Sequence, residues 1–267
     1  MNTSREIIPK LRRQLALSAL LQNGLMTIGI IAVILSVFEL GPQNLAMGML
    51  LGVGVSWMML TYNSVRSARE AADIPLMIAA GEFGEAENRL AELLKKFNLF
   101  RNVRLQGLHQ LVLLRHAQRR SEETVELARA LLAQRLGKLG ALSNSTHLIL
   151  AESLLKIGDI RGTYQEIALL YDRRLALPEA IGLLRVQLDY LARIEAWEPM
   201  LYGLRERIAL CELMPSADAA GCQALLALAA KRISRHDLSE WLKARALLLV
   251  DAEQLTADRP ILTELLS

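Results

Sequence analysis

The sequence predicts an all-α protein, with an N-terminal transmembrane helical hairpin followed by an α-solenoid of about five helical hairpins. Residues 15–62 form two long apolar runs around a short break, and Glu39 is their only charged side chain, although charged residues make up 22% of the chain. Beyond residue 63, Gly and Pro are sparse and no alternation of β-branched residues indicates strands. We therefore expect helices throughout.

The two apolar runs have the length and character of membrane spans. A helix needs about 20 apolar residues to cross roughly 30 Å of hydrocarbon. Residues 15–38 and 45–62 carry no charge, and the centre of the first run is apolar on all sides. Gly41-Pro42 between them ends the first helix, because proline disfavours helix in the residue before it. The alternatives are a cleaved signal peptide, whose apolar core is usually about 7–15 residues, and a soluble helical core.

The charges that flank the two runs set an orientation. Basic residues precede the first run and follow the second, and the break between the runs has no Lys or Arg; they are Arg5, Lys10, Arg12, Arg13, Arg66 and Arg69. By the positive-inside rule, both termini lie in the cytoplasm, so we expect a multi-pass integral membrane protein.

Small residues recur at a spacing of four in both runs. Gly48, Gly52 and Ser56 share one helix face in the second run, and Ala32 and Ser36 do so in the first. Small residues at this spacing let helix backbones approach closely. We expect them to pack the two spans together, with homodimerisation through the same face as the alternative.

These signals divide the chain into five parts. They are a basic cytoplasmic tail (1–14), the transmembrane hairpin (15–62), a helical neck (63–72), a helical-repeat domain (73–254) and a C-terminal capping helix (255–267). The net charge is +3, and the tail with Glu39 accounts for most of it. The nearly neutral remainder excludes an electrostatic surface for nucleic acid, whereas the basic tail is suited to anionic lipid.

A helix–turn–helix pattern returns five times in the repeat domain. Its turn markers are Gly81, Arg119, Gly158, Glu195 and Ser234, which are separated by steps of 38, 39, 37 and 39 residues. A fixed period between about 20 and 50 residues is the signature of a solenoid. Each hairpin exposes an apolar face that the next hairpin covers.

Two of these turns resemble the inter-helix turn of tetratricopeptide repeats. Ala80-Gly81-Glu82-Phe83-Gly84-Glu85-Ala86 has a turn glycine, an aromatic residue two positions on and a small residue three after that, and residues 155–160 are similar. The resemblance covers residues 70–250. At the other three markers Arg119, Glu195 and Ser234 replace the glycine, and the period exceeds the family's length of about 34. Other helical-hairpin solenoids therefore stay open.

The resemblance implies a groove, lined by the first helix of each hairpin, that holds a partner protein or peptide. Side chains that the resemblance places in this groove are Gln106, His109, His116, Ser145, Glu152, Arg185, Asp189 and Lys231. Their mixed charge indicates no preference for an acidic or a basic peptide.

The sequence contains no recognisable pattern of catalytic, cofactor-binding or metal-binding residues. The four histidines and two cysteines lack metal-ligand spacing, no Gly-rich phosphate loop follows a strand, and no nucleophile pairs with a base. We expect no metal, no cofactor and no enzymatic activity, and we interpret Cys211 and Cys222 as ordinary buried thiols.

The sequence thus predicts a membrane-anchored scaffold that docks a partner protein through its cytoplasmic repeats. The alternative is a structural subunit of a larger membrane complex, assembled through the hairpin. A membrane enzyme with its site at the lipid interface is a distant third.

Overall fold

The computed structural model describes residues 4–37, 43–95, 101–134, 136 and 140–266. All regular structure in these residues is helical, so the predicted all-α class is confirmed. The break with Glu39 and Gly41 lies outside the described residues. The chain divides into two compact units, residues 1–149 and 150–267, and the boundary falls within one helix.

The first unit begins with two long helices and continues with shorter pairs. Its helices are α1 (Ser4–Val37), α2 (Gln43–Glu70), α3 (Ile74–Ala79), α4 (Phe83–Lys95), α5 (Arg101–Ala117) and α6 (Ser121–Leu132), and α7 (Gly140–Lys156) starts here. Helix α2 runs to Glu70, so most of the predicted neck is its last turns. Beyond it, Asp73 precedes α3 and Pro75 lies in the first turn, as expected for a helix start.

Helices α1 and α2 pack against each other. Ala32 of α1 is fully buried, and a Cβ added at Gly29 would lie 3.7 Å from the Val53 side chain of α2. Much of the remaining surface of both helices is apolar and exposed; its large members include Leu20, Met26, Ile30, Met47, Leu51 and Met58. The sequence therefore leaves a wide apolar surface on this pair.

A membrane-spanning helix was expected twice in this region. Within the described residues, none of the helices combines the length and the apolar character needed to cross a membrane. The predicted two-span anchor is thus not supported, although the pair itself is present, with helices of 34 and 28 residues.

Helix α5 is the centre of the first unit. Most of its residues from Val103 to Arg115 are buried. Gln110 on α5 donates a hydrogen bond of 2.9 Å to the carbonyl of Ala71, just after α2. A Cβ at Gly107 would lie 2.8 Å from Leu93 of α4, so the glycine permits close packing of α4 on α5.

The second unit surrounds α12. Its helices are α8 (Ile160–Tyr171), α9 (Leu177–Arg193), α10 (Trp197–Met200), α11 (Leu204–Cys211), α12 (Ser216–Arg232), α13 (His236–Leu249), α14 (Ala252–Asp258) and α15 (Thr263–Leu266), with a 3₁₀ turn at Pro260–Leu262. Every residue of α12 from Ala219 to Ala230 is buried, and its many alanines let neighbouring helices approach. The predicted capping helix is instead a set of short helical pieces.

The turns inside the five hairpins share one geometry. All five predicted turn markers have positive φ: Gly81 (79°), Arg119 (59°), Gly158 (83°), Glu195 (56°) and Ser234 (64°). In each turn the next N–H donates to the carbonyl five residues earlier, as from Glu82 to Met77 at 2.9 Å. This is the Schellman ending of a helix, which normally favours glycine. The repeated ending is compatible with a helical-repeat solenoid.

The residue five positions after each marker is buried between the two helices of its hairpin. Ala86, Thr124, Thr163 and Ser239 occupy this position in four hairpins, and Met200 occupies it in the other. The Ser239 hydroxyl donates to the Ala227 carbonyl at 2.9 Å, which joins the second helix to the first. In four of the five hairpins a small or hydroxyl-bearing residue here therefore permits close contact between the helices.

Candidate binding surface

An arginine joins three successive first helices in the second unit. Arg185 on α9 donates to Glu152 on α7 at 2.7 Å and to Asp218 on α12 at 3.2 Å, and each partner is 33 residues away. Burial lowers the pKa of Arg185, but the two carboxylates outweigh it and raise that pKa. Glu152 and Arg185, which the resemblance places in the groove, thus pair within the chain.

A third predicted groove residue, Asp189, is held by the C-terminal segment, residues 251–266. Asp189 on α9 accepts hydrogen bonds from Arg259 Nε at 2.7 Å and Nη2 at 3.0 Å. The guanidinium crosses α12 at Gly221, where an added Cβ would collide with it. Asp189 raises the pKa of Arg259 against the opposing effect of burial.

The same segment covers the end of α12. Lys231 Nζ donates to the carbonyl of Glu264 at 2.6 Å, and Arg232 pairs with the Glu264 carboxylate. Leu262 and Leu265 of the segment are buried in the core that α9 and α12 share. Part of the face expected to hold a partner is therefore occupied by the chain's own C-terminal segment.

The four predicted groove residues of the first unit differ in exposure. Gln106 is exposed and His116 is partly exposed. Ser145 donates to the Leu142 carbonyl at 3.1 Å. His109 is buried with its Nδ1 3.1 Å from the Thr146 hydroxyl, and burial lowers its pKa to about 4. Binding of a partner at these positions stays a prediction.

The small residues of the α1/α2 pair divide between a contact and an open face. Ala32 is buried, whereas Gly48, Gly52 and Ser56 are exposed. A Cβ at Gly48 or Gly52 would meet no heavy atom of the described residues within 4 Å. The side chain of Ser36 lies outside the described part. Within the part of the chain that the structure describes, the glycine face of α2 is thus open.

Sequence reasoning missed a buried charge network in the first unit. Arg115 on α5 is only 2% exposed; Nη1 and Nη2 each lie 3.2 Å from the Glu87 carboxylate of α4, and Nε lies 3.2 Å from that of Glu123 on α6. The hydrogen bonds from Arg115 lower the pKa of Glu87 although burial opposes this. The only signal in the sequence is an arginine inside the apolar run of α5.

A crevice in the second unit was also missed. The end of α8, helix α9 and helix α11 enclose about 470 Å³, with Tyr171, Tyr202 and Arg207 among the lining residues. The crevice exists because the second helix of the fourth hairpin is interrupted at Gly203, where φ is +62°. Gly203, shortly after Pro199, is the signal that could have predicted this interruption.

The two cysteines lie side by side in the core of the second unit. Both are buried and free of disulfides. The hydrogen bond between the thiols lowers the pKa of Cys211 and raises that of Cys222. Among the described residues, no three His, Cys, Asp or Glu side chains lie close enough together to hold a metal ion.

The fold and the repeated turns define the class as an α-helical protein of repeated hairpins. No family model matches the chain, and no characterised protein or solved structure matches it. The geometry of its own residues therefore carries any functional argument.

Proposed function

We propose that this protein is a membrane-anchored scaffold that docks a partner protein through its cytoplasmic helical repeats. The observation that carries the proposal is the combination of five like hairpins with a helical pair whose outer surface is apolar. Repeated hairpins present neighbouring helix faces as one extended surface, which suits recognition of another protein. Confinement at a membrane raises the effective concentration of such a partner.

The anchor in this proposal is the α1/α2 pair, which crosses the bilayer twice and leaves both termini in the cytoplasm. Its support is the exposed apolar surface: Leu20 is 69% exposed and Met58 is 74% exposed. Soluble monomers rarely expose large contiguous apolar patches, which usually mark membrane or protein contacts. Arg66 and Arg69 follow at the exposed end of α2, where basic side chains suit anionic lipid headgroups.

Membrane fractions treated with alkaline carbonate test the anchor. An integral protein stays in the pellet, whereas a peripheral protein is released to the supernatant. Labelling of single cysteines at Arg69, which is exposed, and at Asn44 then tests the orientation, since only the first is expected to react from the cytoplasmic side. Release by carbonate would overturn the anchor but leave partner docking to be tested separately.

A mild-detergent pull-down of the full chain, beside a chain that starts at Asp73, tests partner docking. A partner retained by both chains places recognition in the repeats. A partner lost together with residues 1–72 places recognition in the helical pair instead. No specific partner for either chain would contradict the scaffold.

The open glycine face of α2 favours a second candidate, a structural subunit of a larger membrane complex. Neighbouring helices of other subunits pack closely on such a face. Gly52→Leu fills the space beside Gly52 and would disrupt this assembly, whereas it would leave a scaffold almost unaffected. The control is Met58→Leu, because Met58 is exposed on the same helix. Ser67 on that helix is buried and would not serve.

A further inference from the structure

The crevice of the second unit contains an arginine, Arg207, that forms no ion pair with a carboxylate of the described residues. Arg207 on α11 is partly buried, and its Nη1 is buried with no hydrogen-bond partner among the described residues. Buried guanidinium groups are normally paired, because removing their hydration is costly. Arg207 therefore has an unmet requirement for an acceptor.

Electrostatic neighbours of Arg207 support this conclusion. Burial lowers the pKa of Arg207, and the opposing influences are the Tyr171 phenol and the Cys211 thiol rather than a carboxylate. Glu206 also lines the crevice, but it is exposed and is not among the groups that raise the pKa of Arg207. An anion that enters the crevice thus gains an interaction that the folded chain does not itself supply.

The rest of the crevice is suited to apolar side chains. Leu170, Leu183 and Leu184 are buried in its lining. Tyr171 and Tyr202 also line it, and each is more than half exposed. Partly exposed tyrosines provide large contact area with little loss of conformational entropy. A volume of about 470 Å³ admits several side chains but not a folded domain.

We propose that this crevice docks a segment of the partner protein, and that a glutamate or aspartate of that segment pairs with Arg207 while flanking apolar residues contact the leucines. This inference rests on the proposed scaffold function, because it names the chemistry of the partner. It places recognition between the second helices of two hairpins, away from the face that residues 251–266 cover.

Selection from a phage library of random nonapeptides, fused to the phage through their C-termini, tests the inference on the full chain. We expect enriched peptides to carry Asp or Glu beside apolar residues. Their binding should weaken roughly 10- to 100-fold for Arg207→Gln, since hydrogen bonds to charged groups are worth about 1.5–3 kcal/mol. Arg205→Gln, exposed on the same helix, is the matched control.

Arg207→Lys keeps the charge and should retain the acidic preference with weaker binding. Thermal melting separates lost binding from lost folding, and Arg207→Gln should melt no lower than the unmodified chain because it removes an unpaired buried charge. Enriched peptides without an acidic residue, or equal binding to Arg207→Gln, would overturn the inference.

Crosslinking distinguishes that failure from failure of the scaffold. A photo-crosslinking phenylalanine derivative at Tyr202 should capture the partner, whereas one at Tyr164, which is exposed on α8 outside the crevice, should not. Capture from Tyr164 alone would leave the scaffold intact and reject the crevice. Capture from neither position, with no partner retained in the pull-down, would reject both.

Discussion

Asp189 on α9 and Arg259 in the C-terminal segment form a two-point ion pair across 70 residues of sequence, with N–O distances of 2.7 and 3.0 Å. The pair is mostly buried, at 30% and 17% side-chain exposure. The pair fixes the segment to α9, the first helix of the fourth hairpin. The segment therefore closes the apolar core of the second unit.

Arg259→Ala should lower the free energy of unfolding by about 2 kcal/mol, because it leaves Asp189 partly buried without its charged partner. Chemical denaturation of the full chain in mild detergent measures this. Asp189→Ala should behave similarly, and the double variant should lose clearly less than the sum. Arg235→Ala, an exposed arginine, is the control. Strict additivity of the two losses would contradict the coupling.

Gly221→Ala should destabilise the chain by about 1–3 kcal/mol because its Cβ would collide with the Arg259 guanidinium. In an Arg259→Ala background the same substitution should become neutral or stabilising, since alanine is the better helix former by about 1 kcal/mol. Denaturation of the four proteins of this cycle gives the answer. The same cost in both backgrounds would show that α12 rejects a methyl group for another reason.

Arg185→Met should lower the free energy of unfolding by about 2 kcal/mol, because it leaves the carboxylates of Glu152 and Asp218 close to an apolar side chain. Adding Glu152→Gln and Asp218→Asn to that variant should recover most of the loss. Lys156→Met is the matched control: Lys156 also pairs with Glu152, at 2.9 Å, but it is exposed and should contribute well under 1 kcal/mol. An unrecovered loss would assign Arg185 a packing role instead.

The sequence was sufficient to locate the turns but not the contacts between hairpins. A Schellman ending depends on neighbouring residues alone. Its residue with positive φ can be recognised in the sequence as a glycine, as at Gly81 and Gly158, or by its position at the repeat spacing. The pairs of Arg185 and Arg259 join residues 33 and 70 positions apart, and such partners are fixed only when helices pack. The crevice depends on one interruption at Gly203, and a single glycine shortly after Pro199 is the only sequence signal for it.

Three turns hold a side chain in a conformation that favours glycine. Ser234→Gly, Glu195→Gly and Arg119→Gly should each raise the free energy of unfolding by about 0.5–1 kcal/mol, because φ lies between 56° and 64° at these positions. The reverse change, Gly158→Ala at φ 83°, should lower it by about 1 kcal/mol. Glu240→Gly is the control for glycine inside a helix: it lies in α13 and should lower the free energy of unfolding. Destabilisation by all three turn glycines would show that their side chains contribute more than the strain costs.

His109 should make stability depend on pH between about 4 and 6.5. Burial holds its pKa at about 4 in the folded chain, whereas the unfolded chain takes up the proton near 6.5. The unfolded state binds more protons in this pH window. The free energy of unfolding therefore has its full value above the window and falls as the pH drops through it. Between pH 7.5 and 5 the loss should reach about 2 kcal/mol. His109→Gln, which keeps a polar group beside Thr146, should remove most of that difference, while His236→Gln at an exposed position should not. Denaturation at the two pH values decides, and an unchanged pH dependence in His109→Gln would assign the effect to other groups.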